Sequence, residues 1–130
     1  MLDKVEYWLE LADDDISAIK TLLNGQNYLH AGFFCHLVVE KALKAAIAYT
    51  TSEVPPKIHQ LLDLAELAKV FDDLSEEQKK LLSELNPLNI DSRYPEYKER
   101  IVKTLSAERI TRIFKETEAF LCWIKKKLEK

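Results

Sequence analysis

Apolar residues recur at intervals of three and four along three long stretches of the chain, and this spacing predicts amphipathic helices. The stretches cover about residues 3–23, 27–50 and 106–128. Two shorter apolar patterns, near 59–71 and 75–85, predict two further helices. The predicted architecture is therefore all-α, an up-and-down helical bundle with three long helices and two shorter ones.

Local signals predict several of the helix ends. Gly25 is expected to end the first helix, because Gly readily takes the left-handed conformation that follows a helix. Ser75 and Gln78 have the spacing of a capping box, and Ser106 is a good N-cap for the last helix. Pro87 predicts a break after the fourth helix, since a proline and the residue before it disfavour helical continuation.

The stretch 28–50 organises the chain, because its helix is apolar over most of its circumference. Such a helix lies inside a bundle with neighbours on several sides. It also carries a polar row at i, i+4 and i+8, formed by His36, Glu40 and Lys44. In the plain interpretation, Glu40 and Lys44 form a helix ion pair and His36 is a satisfied, semi-buried imidazole. In the functional interpretation, the row and Lys41 face a shared pocket.

The longest irregular segment, residues 86–97, contains an arginine beside an aromatic residue, Arg93 and Tyr94. A guanidinium in this setting binds a carboxylate or phosphate bidentately, or stacks on a base. We expect Arg93 and Tyr94 to lie against the polar row, because a half-buried Glu40 or Lys44 needs a partner. The alternative is that Arg93 only ties the segment to a carboxylate of the bundle, for instance Glu40.

Composition narrows the class of protein. A chain of 130 residues suits one domain, 1–130, with a sizeable core. With 47% hydrophobic and 32% charged residues, the chain is expected to be globular. A net charge of -3 argues against a broad basic surface for nucleic acid. No signal peptide is visible and no apolar run reaches membrane-spanning length, so we expect a cytoplasmic protein without membrane contact.

Sequence signatures of catalytic and metal sites are absent. There is no Gly-rich phosphate loop, and the three His residues have no metal-ligand spacing with Cys or with each other. Cys35 and Cys122 lie in apolar helical contexts and are expected to be buried free thiols. The sequence therefore assigns no catalytic residue, no metal and no cofactor.

Three segments, in this order and at these distances, form a fairly specific set: FFCHLVVEKALKAAI, PPKIHQLLDLAELA and PLNIDSRYPEY. Together they resemble the HEPN family (higher eukaryotes and prokaryotes nucleotide-binding domain), over nearly the whole chain. Residues 36–44 match the central-helix pattern of the family. Lys57 and His59 match its Lys-x-His start to the next helix, and residues 93–95 match the Arg-Tyr-Pro loop of one branch.

The resemblance implies a helical bundle that is often a homodimer. Such proteins are frequently encoded beside a minimal nucleotidyltransferase, and the pair is commonly interpreted as a toxin–antitoxin module. Several branches are ribonucleases that use an Arg followed, after four to six residues, by a His. This chain lacks that motif, because no His occurs after His59. The residues expected to bind a nucleotide or another ligand are His36, Glu40, Lys41, Lys44, His59, Arg93 and Tyr94.

Three hypotheses about function follow. The first is a non-catalytic nucleotide-binding or substrate-binding accessory subunit that acts with a minimal nucleotidyltransferase, in the setting of a toxin–antitoxin pair. The second is a ribonuclease toxin with displaced residues, which would make RNA a ligand. The third is a structural protein-interaction module. We also expect a homodimer through helix faces, since the central helix has more apolar sides than one antiparallel neighbour covers. If the bundle absorbs all of these sides, the protein would instead be a monomer. A dimer would place two copies of Arg93 in one assembly and so allow a composite site across the interface.

Overall fold

The computed structural model describes residues 2–51, 53–90 and 103–129. Its α-helices are α1 (Leu2–Asn24), α2 (Tyr28–Thr51), α3 (Leu61–Leu67), α4 (Glu76–Ile90) and α5 (Ala107–Leu128), with a 3₁₀ turn at Phe71–Asp73. No strand occurs within the described ranges, so the predicted all-α bundle is confirmed. None of these helices is both long and apolar enough to cross a membrane.

The helix α2 is the centre of the bundle, as its apolar circumference predicts. It packs against α1, α3, α4 and α5. Small residues let the neighbouring helices approach closely, and Gly32 is the clearest case. A Cβ atom at Gly32 would lie 3.1 Å from Leu88 of α4 and 3.4 Å from Leu105, just before α5. The side chains of Leu88 and Leu105 therefore leave little room for a side chain at position 32.

The turn between α1 and α2 differs from the prediction. The residue with a left-handed backbone is Gln26, with φ 60°, and Gly25 does not have a positive φ. The N–H of Gln26 donates to Leu23 O at 3.1 Å, and the N–H of Asn27 donates to Leu22 O at 2.8 Å. This is a Schellman motif, whose left-handed position falls one residue after the glycine.

The third helix is shorter than the predicted range 59–71, and spans Leu61–Leu67. It begins late because Gln60 is its N-cap, with a side chain that accepts from the N–H of Leu62 at 2.8 Å. It ends early because Lys69 takes a left-handed conformation, with φ 61°. His59, predicted at the helix start, therefore lies before the helix, in the segment that leads into it.

The predicted N-terminal signals of α4 and α5 are confirmed. The N–H of Ser75 donates to Gln78 Oε1 at 2.9 Å, and the N–H of Gln78 donates to Ser75 Oγ at 3.1 Å. These reciprocal bonds are those of a capping box. Ser106 Oγ accepts from the N–H of Arg109 at 3.1 Å, and α5 begins at the next residue after Ser106.

The predicted helix break at Pro87 is wrong. Pro87 lies inside α4, whose last turn continues beyond it. Leu85 and Leu88 are both buried, so continuing the helix keeps two large side chains in the core. The side chain of Asn86 also accepts from the N–H of Leu61 at 3.0 Å, which ties this turn to the start of α3. Tertiary packing here outweighs the local preference of the Asn-Pro pair.

The two cysteines differ in their environments. Cys35 is buried in the core, as predicted, and burial raises the pKa of its thiol to about 12. The prediction of a buried Cys122 is wrong, because this residue is exposed. It lies beside the inward stripe of α5, whose buried residues are Ile110, Ile113, Phe114, Thr117, Phe120, Leu121 and Ile124.

Candidate functional site

The polar row of α2 converges with the segment before α3 on one buried carboxylate, Glu40, which is 6% exposed. Lys44 Nζ donates to Glu40 Oε2 at 3.0 Å. His59 Nδ1 lies 3.1 Å from Oε2 and 3.2 Å from Oε1 of the same carboxylate. His36 is also buried and lies one helical turn before Glu40. These four side chains, from His36, Glu40, Lys44 and His59, are called the Glu40 cluster below.

His36 connects α2 to the backbone of the segment before α3. Its Nε2 lies 3.0 Å from the carbonyl oxygen of His59. Because a carbonyl only accepts, Nε2 carries the proton. Nδ1 lies 3.5 Å from Glu40 Oε1 and has no hydrogen-bond partner among the described residues. His36 and Glu40 would form an ion pair at this distance only if the imidazole ring were charged.

Burial decides the charge of His36. It lowers the pKa of His36 to about 4, although the carboxylate of Glu40 and the hydrogen bond to His59 raise it. The charges of His59 and Lys44 lower it further. His36 is therefore a neutral structural group at pH 7.

His59 is the member of the cluster that a ligand can reach. Its side chain is 54% exposed, whereas that of Glu40 is 7% exposed. The carboxylate accepts from Nδ1, which fixes the orientation of the ring. The Nε2 edge is then left for a ligand, in the way that a carboxylate orients an imidazole in many sites.

Lys44 links the cluster to an aromatic surface of α1. Its Nζ lies 5.6 Å from the ring centroid of Trp8, a cation–π distance. Trp8 lines a groove of about 380 Å³, called the Trp8 groove below, together with Lys4, Tyr7, Val54 and Pro55. The buried ammonium of Lys44 thus lies between the carboxylate of Glu40 and the indole of Trp8.

The sequence pattern did not identify Trp8 or Tyr7 as site residues, because Trp8 belongs to the apolar stripe of α1. A signal was nevertheless present. Adjacent residues on a helix point about 100° apart, so two consecutive aromatic residues do not both face one core. In the structure Tyr7 is 57% exposed, and the two rings meet edge to face with centroids 5.7 Å apart.

Three other predicted site residues are not part of the Glu40 cluster as described. Lys41 donates from Nζ to a carboxylate oxygen of Asp15 on α1, so it joins the first two helices. Arg93 and Tyr94 lie outside the described residues. Their predicted contact with Glu40 therefore stays a prediction.

Two arginines of α5 form a separate polar contact with α4. Arg112 Nη2 donates to Glu84 Oε2 at 2.7 Å, and Arg109 Nε donates to the same oxygen at 3.2 Å. Partial burial raises the pKa of Glu84, but the hydrogen bonds from Arg112 and Arg109 outweigh this effect and hold the pKa below its usual value. This arrangement ties the two helices together and leaves the Glu40 cluster as the better candidate for a ligand site.

A larger groove, of about 600 Å³, shares no residue with the Glu40 cluster. Its lining includes Asp73, Glu116 and Trp123. Two of its carboxylates already have cationic partners, since Asp73 accepts from Lys127 at 2.9 Å and Glu116 accepts from Arg112 at 3.2 Å. In the described part of the chain, no group of three or more His, Cys, Asp and Glu side chains is arranged to hold a metal ion.

Comparison with known proteins agrees with the architecture. Residues 5–128 match the family model of the HEPN domain. No curated protein matches the sequence. Among solved structures, the fold is similar to that of TT1696 from Thermus thermophilus, with a TM-score of 0.76 and 20% sequence identity, over 95% of this chain and 98% of that chain. At this identity the structural similarity shows the fold alone.

Proposed function

The chain belongs to the HEPN domain family, and from this premise we propose that it is a nucleotide-binding accessory subunit that acts with a minimal nucleotidyltransferase. Family membership supports a nucleotide- or RNA-related role in general. The observation that carries the proposal is the Glu40 cluster, in which a buried carboxylate orients the half-exposed imidazole of His59 and Lys44 lies between that carboxylate and Trp8. The partner enzyme, and a toxin–antitoxin setting for the pair, rest on the resemblance described above.

The cluster suits an anionic ligand because its own negative charge is compensated. Lys44 neutralises Glu40 at 3.0 Å, so the carboxylate does not present an isolated charge to an approaching phosphate. Glu40 in turn accepts from His59 Nδ1, and a protonated His59 would donate from Nε2 to a phosphate oxygen. Hydrogen bonds between charged groups are stronger than neutral ones, so one oriented imidazole contributes measurably to affinity.

The motifs that the sequence lacks indicate which role belongs to this chain and which to the partner enzyme. The chain has no Gly-rich phosphate loop and no Arg-x4-6-His motif, so we assign it no transfer chemistry. In the proposed pair, the nucleotidyltransferase supplies the catalytic groups and this subunit holds a nucleotide or nucleotide-bearing substrate. We expect the two chains to co-purify as a complex when they are expressed together.

The direct test is isothermal titration calorimetry of the purified chain with ATP, GTP, CTP and UTP. We expect at least one nucleotide to bind and His59→Ala to weaken its binding by about 1.5–3 kcal/mol, the usual contribution of a hydrogen bond to a charged group. His30→Ala is the matched control, because His30 is an exposed histidine of α2 that is not part of the cluster. It should bind as the wild type does.

Any of three outcomes would contradict the proposal. The first is that none of the four nucleotides binds, and the second is equal affinity for the wild type and His59→Ala. The third is cleavage of RNA by the pure chain. If that cleavage were lost in His59→Ala, the imidazole would be acting as a general base, and the ribonuclease hypothesis would replace the accessory role.

A further inference from the structure

We infer that the Trp8 groove binds the nucleobase, so that the chain holds a nucleotide by stacking its base on Tyr7 and Trp8. This inference rests on the proposed function and names the part of the ligand that this surface takes. The groove is lined by two aromatic residues, two aliphatic ones and a single lysine, namely Tyr7, Trp8, Val54, Pro55 and Lys4.

The shape and exposure of the lining favour a flat apolar ligand. Tyr7 is 57% exposed and Val54 is 75% exposed, so both leave apolar surface open to solvent next to each other. The planes of the Tyr7 and Trp8 rings form an angle of 73°, so the two rings are close to perpendicular. A base stacked on one ring would meet the edge of the other, and both geometries are favourable for aromatic pairs.

The groove lies near the polar cluster. Lys44 Nζ lies 5.6 Å from the centroid of Trp8 and 3.0 Å from Glu40 Oε2, and that oxygen lies 3.1 Å from His59 Nδ1. These successive contacts put the indole and the imidazole within the span of one nucleotide. A single nucleotide is therefore long enough to extend from Trp8 to His59.

The polar group near the groove favours a nucleotide over other apolar occupants. An aliphatic side chain of a partner, or the helix face of a second copy, needs only the apolar lining. A nucleotide also needs a hydrogen-bonding group for its phosphates, and the half-exposed imidazole of His59 is such a group. Because every base has a π-face, stacking of this kind is tolerant of base identity, and we expect purine nucleotides to bind with similar affinity.

Tryptophan fluorescence tests the inference directly. The chain has two tryptophans, so Trp123→Phe leaves Trp8 as the single reporter. Trp123 lines the other groove, which shares no residue with the Trp8 groove. We expect ATP and GTP to quench Trp8 in this variant. Ribose 5-phosphate, which carries the phosphate without a base, should leave its emission unchanged.

Substitutions in the groove test the same point by calorimetry. Tyr7→Ala should weaken ATP binding by about tenfold or more, since a stacked base loses an energy of that order when its aromatic partner is removed. Trp8→Leu should weaken binding similarly while it keeps apolar packing against Val5, Ala45 and Ala48. A thermal melt of each variant shows that it is folded.

The matched control is Tyr49→Ala, which removes a partly exposed tyrosine of α2 outside the groove and should leave ATP affinity unchanged. If ATP binding depends on His59 but neither quenches Trp8 nor weakens in Tyr7→Ala, the inference is overturned and the proposed function stands. If no nucleotide binds at all, both are overturned. If Tyr7→Ala instead converts a dimer to a monomer with ATP affinity unchanged, the groove is a subunit contact and the inference is also overturned.

Discussion

At the scale of single residues, Glu40 determines the state of its three neighbours in different ways. It holds the ammonium of Lys44 in a buried position, and it orients the ring of His59 toward solvent. Toward His36 its influence is smaller, because burial of that imidazole outweighs the nearby negative charge. The same carboxylate therefore stabilises one charged neighbour, orients a second neighbour and leaves a third neutral.

The neutral state of His36 makes the protein sensitive to acid. The pKa of His36 is lowered from 6.5 to about 4 in the folded protein, so the unfolded chain binds more protons between these values. The contribution of the neutral His36 to the free energy of unfolding is present in full above pH 6.5. This contribution is lost as the pH falls from 6.5 toward 4. We expect the free energy of unfolding to fall by about 2 kcal/mol from about pH 7 to about pH 5 through this residue alone.

The measurement is urea unfolding at several pH values for the wild type and His36→Gln. Other titrating groups contribute to both proteins, so the difference between the two curves isolates His36. The groups that face it, Glu40, Lys44 and His59, are retained in both proteins. Parallel curves for the two proteins across this acidic range would show that His36 is not held neutral by burial.

At the scale of the elements, two helices end on residues that are poorly suited to their backbone conformation. Gln26 after α1 and Lys69 after α3 both have left-handed φ values, 60° and 61°. A side chain with a Cβ atom costs about 1–2 kcal/mol in this region, and Gly avoids the clash. The positions are set by where the capping hydrogen bonds fall, since the N–H of Lys69 donates to Glu66 O and that of Val70 to Ala65 O.

We therefore expect Gln26→Gly to stabilise the protein by about 0.5–1 kcal/mol, because the relief of strain exceeds the added entropy of the unfolded chain. Chemical denaturation at constant pH measures the change. Gln26→Ala is the control, since it shortens the side chain but keeps the Cβ atom and should give no gain. Stabilisation by Ala equal to that by Gly would mean that the backbone conformation is not the cause.

At the scale of the whole molecule, the arrangement around α2 leaves apolar side chains at the surface of the described ranges. Exposed large residues include Tyr49 at the end of α2 and Leu67 at the end of α3. The hydroxyl of Thr50 donates to Ala68 O at 3.4 Å, so these two helix ends lie together. Neighbouring exposed apolar groups of this kind are typical of a surface that binds another protein.

We predict a homodimer, and light scattering at micromolar concentration is the measurement. A two-fold axis would place the same apolar helix ends of both copies against each other. Leu67→Glu should shift the mass toward the monomer, because it buries a charge in that contact. Val54→Glu, in the Trp8 groove, should leave the dimer intact. A monomer mass for the wild type would end the prediction.

The sequence by itself determined the features that depend on neighbours along the chain. The spacing of apolar residues predicted the helices, and the capping box at Ser75 and the N-cap at Ser106 predicted where two of them begin. The central position of α2 also followed, because a helix that is apolar on most sides needs neighbours on most sides. The ion pair of Glu40 with Lys44 followed as well, since residues four apart share a helix face.

Only the tertiary structure decided features that depend on what packs against a residue from elsewhere in the chain. Pro87 remains inside a helix because the core holds the turn around it, and Cys122 is exposed because none of the described helices covers that side of α5. His59 meets Glu40 across 19 positions of sequence, and no local pattern encodes that contact. The Trp8 groove likewise forms only when α1 lies beside the segment that follows α2, because an aromatic residue is buried or exposed according to its neighbours in space.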